Sequence, residues 1–400
     1  MNRKIPLGIT ISLVAIGCAI TFVLTWTVSL RIYNSKIVSG ETYAGVYKKL
    51  HEMDTTVRAN YIGEMDDDYL EAAMISGYVS GIGDRYASYK SANSFYELQQ
   101  TTNGVVNGAG FEVEDNGSGY LRVTKIYQNS SAQSNGIMVG DIITEIDGRS
   151  LLAMTVADAR ERLSGEIGTT LSIKIVRGSE QISVTLIRQQ IDIESVTDEL
   201  LENNIGYIRI TTFNGKTAEQ FGTSLNSLLA RNIRALVIDL RQNGGGVVSA
   251  LTPMLNRMIP ATVVATAEYK NGVSKTLIET DSDECIDVPM VILVDGGTAS
   301  AAELFAVALR DEQGAILVGT QTYGKAVMQN TYQMSDGSAL VISIATIKPV
   351  KSEPYNEIGL KPDFIVELPS DTSIEYLTRE SDTQLRKAIE ILLTKTAETE

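Results

Sequence analysis

The sequence predicts a multidomain α/β protein, and three features indicate it. An apolar segment opens the chain and leads into a helical pattern, a region of alternating residues with glycine-rich turns follows, and strands then alternate with helices. At 400 residues the chain exceeds what one hydrophobic core usually organises. We therefore expect a membrane-spanning segment, a helical region, a β domain, an α/β core and a helical tail, with the boundaries 1–30, 31–102, 103–190, 191–370 and 371–400.

The composition excludes several classes of partner. With 49 acidic and 34 basic residues, the formal net charge is -15 at pH 7, which argues against nucleic acid because phosphate binding needs a surplus of Lys and Arg. The chain has one histidine, His51, and two cysteines, Cys18 and Cys285, too few soft ligands for a typical zinc site. We expect neither a metal nor a cofactor.

The first element is the apolar segment Ile5–Leu30, which contains no charged side chain. As a helix it would be ~39 Å long, more than the ~30 Å hydrocarbon core of a bilayer. Arg3 and Lys4 precede it, so we expect a single-pass cell-membrane protein whose chain beyond this segment is extracytoplasmic. A cleaved signal peptide and lipidation at Cys18 are the less favoured alternatives.

The second element is mostly helical, from about residue 41 to 100. Apolar residues recur at intervals of three and four at Tyr43, Val46, Tyr47, Leu50 and Met53. The acidic stretch MDDDYLEAAM predicts the start of a second helix, and the Ser/Asn-rich YASYKSANSF predicts a loop. His51 falls on the first of these helices, where a solvated or packed side chain is the favoured interpretation.

The third element, from about Asn103 to Arg188, alternates apolar and polar residues around an Asn-Gly turn and contains the helical patch TVADARERL and the strands LSIKIVRG and ISVTLI. Its GAGF at Gly108–Phe111 and its NGIMVGDIITEIDG resemble a PDZ domain. The resemblance implies that Gly108, Ala109, Gly110 and Phe111 bind a peptide C-terminus, and a glycine-rich turn can indeed aim backbone N–H groups at a carboxylate. A small β-barrel-like spacer is the alternative.

The fourth element alternates strands and helices and predicts a largely parallel sheet. Its segments are the strand IGYIRI, a helix at Thr217–Ala230, the strand ALVIDL, a helix near Ser249–Met258, the strand PMVILVD, a helix that carries Ser300, and the strands AILVG and ALVISIATI. The tail beyond Asp371 predicts one or two further helices.

Ser300 lies in the first turn of its predicted helix. Ala301, Phe305, Ala308 and Leu309 share one face of that helix, so its N-terminus, with free N–H groups and the positive end of the dipole, points above the sheet. Such a terminus suits a developing oxyanion. Taken alone, Thr298 and Ser300 are ordinary N-cap residues.

A nucleophilic serine needs a base, and His51 lies outside the core. Lys325 in QTYGKAVMQ is the remaining candidate, and it could act only with its pKa lowered by burial from ~10.4 towards ~7–8. Val327 and Met328 make an apolar pocket plausible, and Gln329, one turn further on, could hold the amine through its side-chain carbonyl. A surface lysine and a solvated glutamine are the alternatives.

A glycine loop follows the strand ALVIDL. Gly244–Gly246 permits a close backbone approach, so this loop could supply one oxyanion donor while the N–H of Ala301 supplies the other. The alternatives are a simple turn and a phosphate loop. A phosphate loop would have a Lys-Ser/Thr pair after the glycines, where this chain has Val247 and Val248.

Together these segments resemble the C-terminal processing peptidases, or tail-specific proteases, which use a serine–lysine dyad. The family patterns G-[ST]-A-S-A-x-E, T-[FY]-G-K-[GS]-x-x-Q and D-x-R-x-N-x-G-G match Gly297–Glu303, Thr322–Gln329 and Asp239–Gly246 in order and spacing. YIRITTF, GLKPD and the preceding PDZ-like region extend the similarity from about Tyr43 to Leu368. Two positions depart from the family patterns: Ala326 replaces the usual glycine after the lysine, and DRYASY lacks the proline of D-P-x-S-x-Y.

The resemblance implies a role for each matched position and a core of the crotonase-like/ClpP-like type. Ser300 would be the nucleophile, Lys325 the base, Gln329 the residue that orients the lysine, and Gly246 and Ala301 the oxyanion donors. Implied substrates are proteins or peptides with free, apolar C-termini, and the terminal helices could pair in a homodimer. Two other functions stay open: a membrane-tethered PDZ scaffold without activity, and acyl-thioester chemistry.

Overall fold

The computed structural model describes residues 7–369, 374 and 377–398. The chain divides into two compact units, one up to Glu71 and the other from Ala72 onward. The second unit contains the β domain and the α/β core. The five predicted domain boundaries stay a prediction.

The first unit is helical, as predicted. Helix α1 spans Leu7–Asn60, and helix α2, Asp67–Ser80, begins in the predicted acidic stretch. His51 is exposed on α1. Within the part of the chain that the structure describes, no helix has a stretch that is both long and apolar enough to cross a bilayer. The predicted membrane-spanning helix at Ile5–Leu30, whose first two residues lie outside the described part, is therefore not supported by the structure.

The predicted loop YASYKSANSF is wrong, since only its first two residues precede strand β1, Ser88–Lys90, and the stretch then enters helix α3, Ala92–Asn103. The side chain of Ser91 caps the helix by accepting a hydrogen bond from the N–H of Ser94 at 3.3 Å. β1 becomes a strand because it pairs with a strand near the C-terminal end of the core, a partner that no local pattern reveals.

The β domain has the predicted alternating strands and the predicted helix. Its elements are β2 Val105–Gly108, β3 Phe111–Asp115, β4 Leu121–Ile126, α4 Ser131–Ser134, β5 Ile142–Ile146, β6 Arg149–Ser150, α5 Val156–Leu163, β7 Thr170–Arg177, β8 Glu180–Ile187 and β9 Gln189–Asp192. The main sheet has the order β3-β4-β5-β7-β8, so β3 is an edge strand. Its inward residues, such as Val123, Ile143 and Ile173, form a separate hydrophobic core.

The α/β core contains the predicted largely parallel sheet, with the order β10-β11-β12-β15-β16-β19. Its elements are β10 Val196–Leu200, β11 Ile205–Ile210, α6 Thr217–Ala230, β12 Ala235–Asp239, α7 Leu251–Leu255, β15 Met290–Val294, α8 Ala301–Gln313, β16 Ile316–Gly319, β19 Phe364–Ile365 and α9 Thr383–Glu398. Only β10 and β11 run antiparallel among the pairs in this sheet. α6 matches its predicted bounds, whereas α7 is shorter than expected.

Both faces of this sheet are buried, which explains the continuous apolar strands. Leu236 and Ile238 of β12 face the large core shared with α6, α7 and α8. Ala235 and Val237 face the opposite side, where they pack with residues of α9 such as Leu392. The predicted helix in the tail is thus confirmed as α9, and it closes the second face of the sheet.

A second sheet is antiparallel and has the spatial strand order β1-β18-β13-β14, and β17 also pairs with β18. The strands not yet given are β13 Thr262–Tyr269, β14 Ser274–Thr280, β17 Val327–Gln333 and β18 Ala339–Pro349. The helical position predicted for Gln329 is wrong, because this residue lies in β17 opposite Ser343 of β18. The segment ALVISIATI is a strand as predicted, but it belongs to this antiparallel sheet and not to the parallel one.

Candidate active site

Ser300 lies between the buried strand β15 and helix α8. Its backbone has φ 57° and ψ -120°, a conformation that residues other than glycine rarely adopt. Such a strained residue persists only where its surroundings hold it, and it marks a candidate functional position. Here the turn presents a half-buried serine at the N-terminus of a helix whose first nine residues are buried.

Asp295 ties the Ser300 turn to the glycine loop. Its Oδ1 accepts hydrogen bonds from the N–H of Gly297 at 2.9 Å and from the N–H of Thr298 at 3.1 Å. Oδ1 also accepts from the backbone N–H of Gln242 at 2.9 Å, and Oδ2 accepts from the Gln242 side-chain amide at 2.7 Å. The Thr298 hydroxyl in turn donates to the carbonyl of Leu240 at 2.8 Å. The two loops are therefore fixed to each other.

Asn243 and Gly245 bring the glycine loop against the serine. The buried Asn243 accepts a hydrogen bond from the N–H of Ala299 at 2.9 Å through its carbonyl. Gly245 has φ 97°, and a Cβ atom there would lie 2.8 Å from the Cβ of Ser300 and 2.9 Å from the nitrogen of Ala301. Only glycine allows this approach.

The structure distinguishes the glycines as possible oxyanion donors. The N–H of Gly245 already donates to the Asn243 side chain at 2.9 Å. For the N–H groups of Gly246 and Ala301, the described part of the chain provides no acceptor. Gly246, with φ 138°, is itself packed so tightly that a Cβ atom would lie 1.9 Å from the carbonyl oxygen of Phe213. The predicted donor pair is thus compatible with the geometry.

Glu303 is a site residue that the sequence interpretation left without a role. It is fully buried on α8. Its Oε2 accepts hydrogen bonds from the backbone N–H of Ser300 at 2.9 Å and from that of Lys325 at 2.8 Å, while Oε1 accepts from Thr322 Oγ1 and from the N–H of Gly324. Because one oxygen atom binds both nitrogens, the main chains of Ser300 and Lys325 are held next to each other.

The amine of Lys325 is held by Gln329, as predicted. Nζ of Lys325 donates to Oε1 of Gln329 at 2.8 Å, and Nε2 of Gln329 donates to the carbonyl of Tyr86 at 2.8 Å. This contact forms although Gln329 lies on a strand and not on a helix; the pairing of β17 with β18 has a register shift between Met328 and Gln329. The glutamine is therefore itself oriented by a segment distant in sequence.

Burial lowers the pKa of Lys325 below its ordinary value. Tyr323 and Asp84 act in the opposite direction, whereas the guanidinium of Arg85 adds to the lowering. The ring of Tyr86 covers the amine, with Nζ 4.7 Å from the ring centroid. In the described part of the chain, no hydrogen bond joins Nζ of Lys325 to Oγ of Ser300; the amine bonds to Gln329 instead.

A buried ionic network supports the strand that leads into the glycine loop. The guanidinium of Arg241 binds Asp239 with Nη2 at 2.6 Å from Oδ2, and Asp382 with Nη2 at 2.8 Å from Oδ2. It also donates to Gln384 at 3.0 Å, and the hydroxyl of Tyr207 donates to Asp239 at 2.7 Å. The network fastens the loop to the start of α9, a contact that the sequence did not indicate.

The loop Gly108–Phe111 lies between β2 and the edge strand β3. The carbonyl of Ala109 accepts from the N–H of Ala132 at 2.8 Å, and that of Gly110 accepts from the N–H of Tyr127 at 3.0 Å. Gly110 has φ 98°, and a Cβ atom there would lie 2.0 Å from the Cβ of Ser130. The loop is therefore rigid, and peptide binding by it stays a prediction.

Two family models match the chain, one described as peptidase family S41 at residues 204–366 and one as PDZ domain at residues 99–176. The carboxy-terminal processing protease CtpA of Bacillus subtilis is 30% identical over 364 residues, which are 90% of this chain and 78% of that protein. The chloroplastic carboxyl-terminal-processing peptidase 2 of Arabidopsis thaliana is 28% identical over 357 residues, 86% and 67% of the two chains. Among solved structures, a photosystem II D1 C-terminal processing protease aligns with 25% identity and a TM-score of 0.46 over 80% of this chain and 88% of that one.

Proposed function

Because the chain belongs to peptidase family S41 and is a C-terminal processing serine peptidase with a PDZ domain, we propose that Ser300 and Lys325 form its catalytic dyad. The observation that carries the proposal is the single carboxylate oxygen of Glu303, which accepts hydrogen bonds from the backbone nitrogens of both residues. A burial-lowered lysine pKa supports the role of base, since only the neutral amine can take a proton.

In the proposed reaction, neutral Lys325 takes the proton of the Ser300 hydroxyl while Oγ forms a bond to the scissile carbonyl carbon. This requires the amine to turn from Gln329 towards the serine. The N–H groups of Gly246 and Ala301 stabilise the oxyanion. The lysine ammonium then returns its proton to the leaving amine as the C–N bond breaks, and water releases the acyl group from the serine with Lys325 again as base.

We assign recognition of the substrate to the PDZ domain. Its edge strand β3 can pair with an extended peptide, and the glycine turn before it can direct backbone N–H groups at a terminal carboxylate. We expect substrates with free, apolar C-termini. Placement of the catalytic region outside the cytoplasm and pairing of the terminal helices in a homodimer remain predictions from the sequence; fractionation of cells and the mass of the purified chain would test them.

Cleavage of a peptide with a free apolar C-terminus tests the proposal. The full chain should cut it, with products identified by mass spectrometry, whereas the Ser300→Ala and Lys325→Ala variants should lose activity while still binding the peptide. Amidation of the substrate C-terminus should weaken binding. Activity of Lys325→Ala near that of the unmodified chain would refute the dyad, and an unchanged rate on the amidated peptide would place recognition elsewhere.

A further inference from the structure

The short segment Asp84–Tyr86 forms one wall of the lysine site, although it precedes the PDZ domain in sequence. The backbone carbonyl of Tyr86 binds Gln329, and the Tyr86 ring lies over the amine of Lys325 with Nζ 4.7 Å from its centroid. Tyr86 therefore contacts the base directly through its ring, and contacts the glutamine that holds the base through its carbonyl. The family-like roles assigned above account for neither.

The position of Tyr86 is fixed by its neighbours. Oδ2 of Asp84 accepts from the backbone N–H of Ser343 at 2.8 Å, and Oδ1 accepts from the N–H of Tyr86 at 3.0 Å. Ser343 is the residue of β18 that lies opposite Gln329. Directly after the segment, β1 pairs with the same strand β18. Tyr86 and Gln329 are thus held from one common strand, so the ring is not a mobile surface group.

We propose that Tyr86 is a positioning residue for the general base, whose ring face stabilises the ammonium that Lys325 becomes when it takes the proton of Ser300. The inference rests on the proposed dyad. In this step the Oγ–H bond of Ser300 breaks and an Nζ–H bond of Lys325 forms, so a positive charge develops on a partly buried nitrogen. An aromatic face attracts such a cation but has little interaction with the neutral amine.

The charged groups near the Lys325 amine act in opposite directions, so the effect of the Tyr86 ring on the ammonium can be considered separately. Tyr323 and Asp84 favour the charged lysine and Arg85 opposes it. The Arg85 guanidinium lies 4.8 Å from the Tyr86 centroid and donates to the hydroxyl of Tyr323. Glu303 contacts Lys325 through its backbone N–H, and the described contacts include none between Glu303 and the amine. Burial raises the pKa of Tyr86, so its ring remains a neutral phenol over the working range. Two uncharged groups at the amine therefore favour the ammonium: the amide oxygen of Gln329, which accepts its hydrogen bond, and the ring face of Tyr86.

The experiment compares Tyr86→Phe with Tyr86→Leu in the full chain, by the pH dependence of kcat on a peptide substrate. Phenylalanine keeps the ring face, so its profile should match that of the unmodified chain. Leucine keeps the site apolar but removes the face. The acidic limb, where the lysine loses its proton, should then move down by about half a unit to one unit, and the plateau should fall about threefold to tenfold.

A purely structural role would reduce the plateau without moving the limb downward, and that result with Tyr86→Leu would overturn the inference. A Tyr86→Phe variant that behaves like Tyr86→Leu would also overturn it, because the hydroxyl would then be the important group. Lys325→Ala separates this inference from its premise: activity in that variant refutes the dyad, whereas an inactive Lys325→Ala beside an unmoved limb in Tyr86→Leu refutes only the role of Tyr86.

Discussion

Ser300 lies at the start of a helix whose residues Ala301–Leu309 are all buried. Lys325 instead lies just before strand β17 and Gln329 lies within it, and the last four residues of this strand are exposed. The serine turn is bound to the adjacent glycine loop through Asn243 and Asp295. The lysine side is held by Glu303 and by the segment Asp84–Tyr86. Within the described sheets, β17 pairs with β18 alone.

This difference indicates where substitutions should reduce activity most. The position of the nucleophile follows from folding of the core, because the Ser300 turn joins β15 to α8 and is hydrogen-bonded to the loop that follows β12. The position of the base depends on contacts from distant parts of the chain. Substitutions on the serine side should therefore cause large losses, and substitutions on the lysine side should cause graded ones.

The largest effect is expected for Gly245→Ala. The added methyl group would meet the carbonyl oxygen of Ala299 at 2.7 Å and the Cβ of Ser300 at 2.8 Å. Since this side is rigid, displacement of both the serine and an oxyanion donor should reduce kcat on the order of 1000-fold. Gly244→Ala is the matched control, because nothing lies within 4 Å of a Cβ there. Equal rates for the two variants would contradict a rigid serine side.

Glu303→Gln should affect both sides together. The amide keeps the shape of the side chain but replaces one acceptor oxygen by a donor, which leaves buried N–H groups of Ser300 or Lys325 unpaired at a cost of about 1–3 kcal/mol each. We expect a lower melting temperature and a loss of about 100-fold in kcat. The exposed Glu284→Gln serves as control. Unchanged melting and activity would show that Glu303 does not join the two residues.

Gln329→Leu should have the smallest effect, about tenfold in kcat. It removes the acceptor that holds the amine of Lys325 and the donor that binds Tyr86, but leaves the base in place. Gln333→Leu makes the same change at an exposed position of the same strand and should be silent. If Gln329→Leu is as inactive as Lys325→Ala, losses of activity on the lysine side are not graded, and the contrast between the two sides is wrong.

Elements with a strong local pattern were predicted from the sequence. Helix α6 matches Thr217–Ala230, and the buried apolar strands of the parallel sheet were found because burial on both faces gives continuous apolar runs. Two of the errors concern β1 and β17, which both become strands by pairing with β18. Their polar sequences favour a loop and a helix locally, and a distant partner decides otherwise.

In the site too, contacts between segments distant in sequence could not be predicted. Motif spacing indicated Ser300, Lys325 and Gln329, and the pattern from Ser300 to Glu303 is typical of a capping box, a signal that points to a buried acceptor near the serine. That Glu303 also binds Lys325, and that Tyr86 covers the amine, follow from contacts between segments far apart in the chain. Such contacts leave no periodicity in the sequence.

The titration of the Lys325 amine tests the central claim most directly. Trace acetylation of the full Ser300→Ala chain across a range of pH, followed by mass spectrometry of the peptide that contains Lys325, measures the pKa of this one amine. Burial should place the midpoint clearly below the ordinary lysine value of ~10.4. A midpoint at or above that value would contradict a lysine that acts as base.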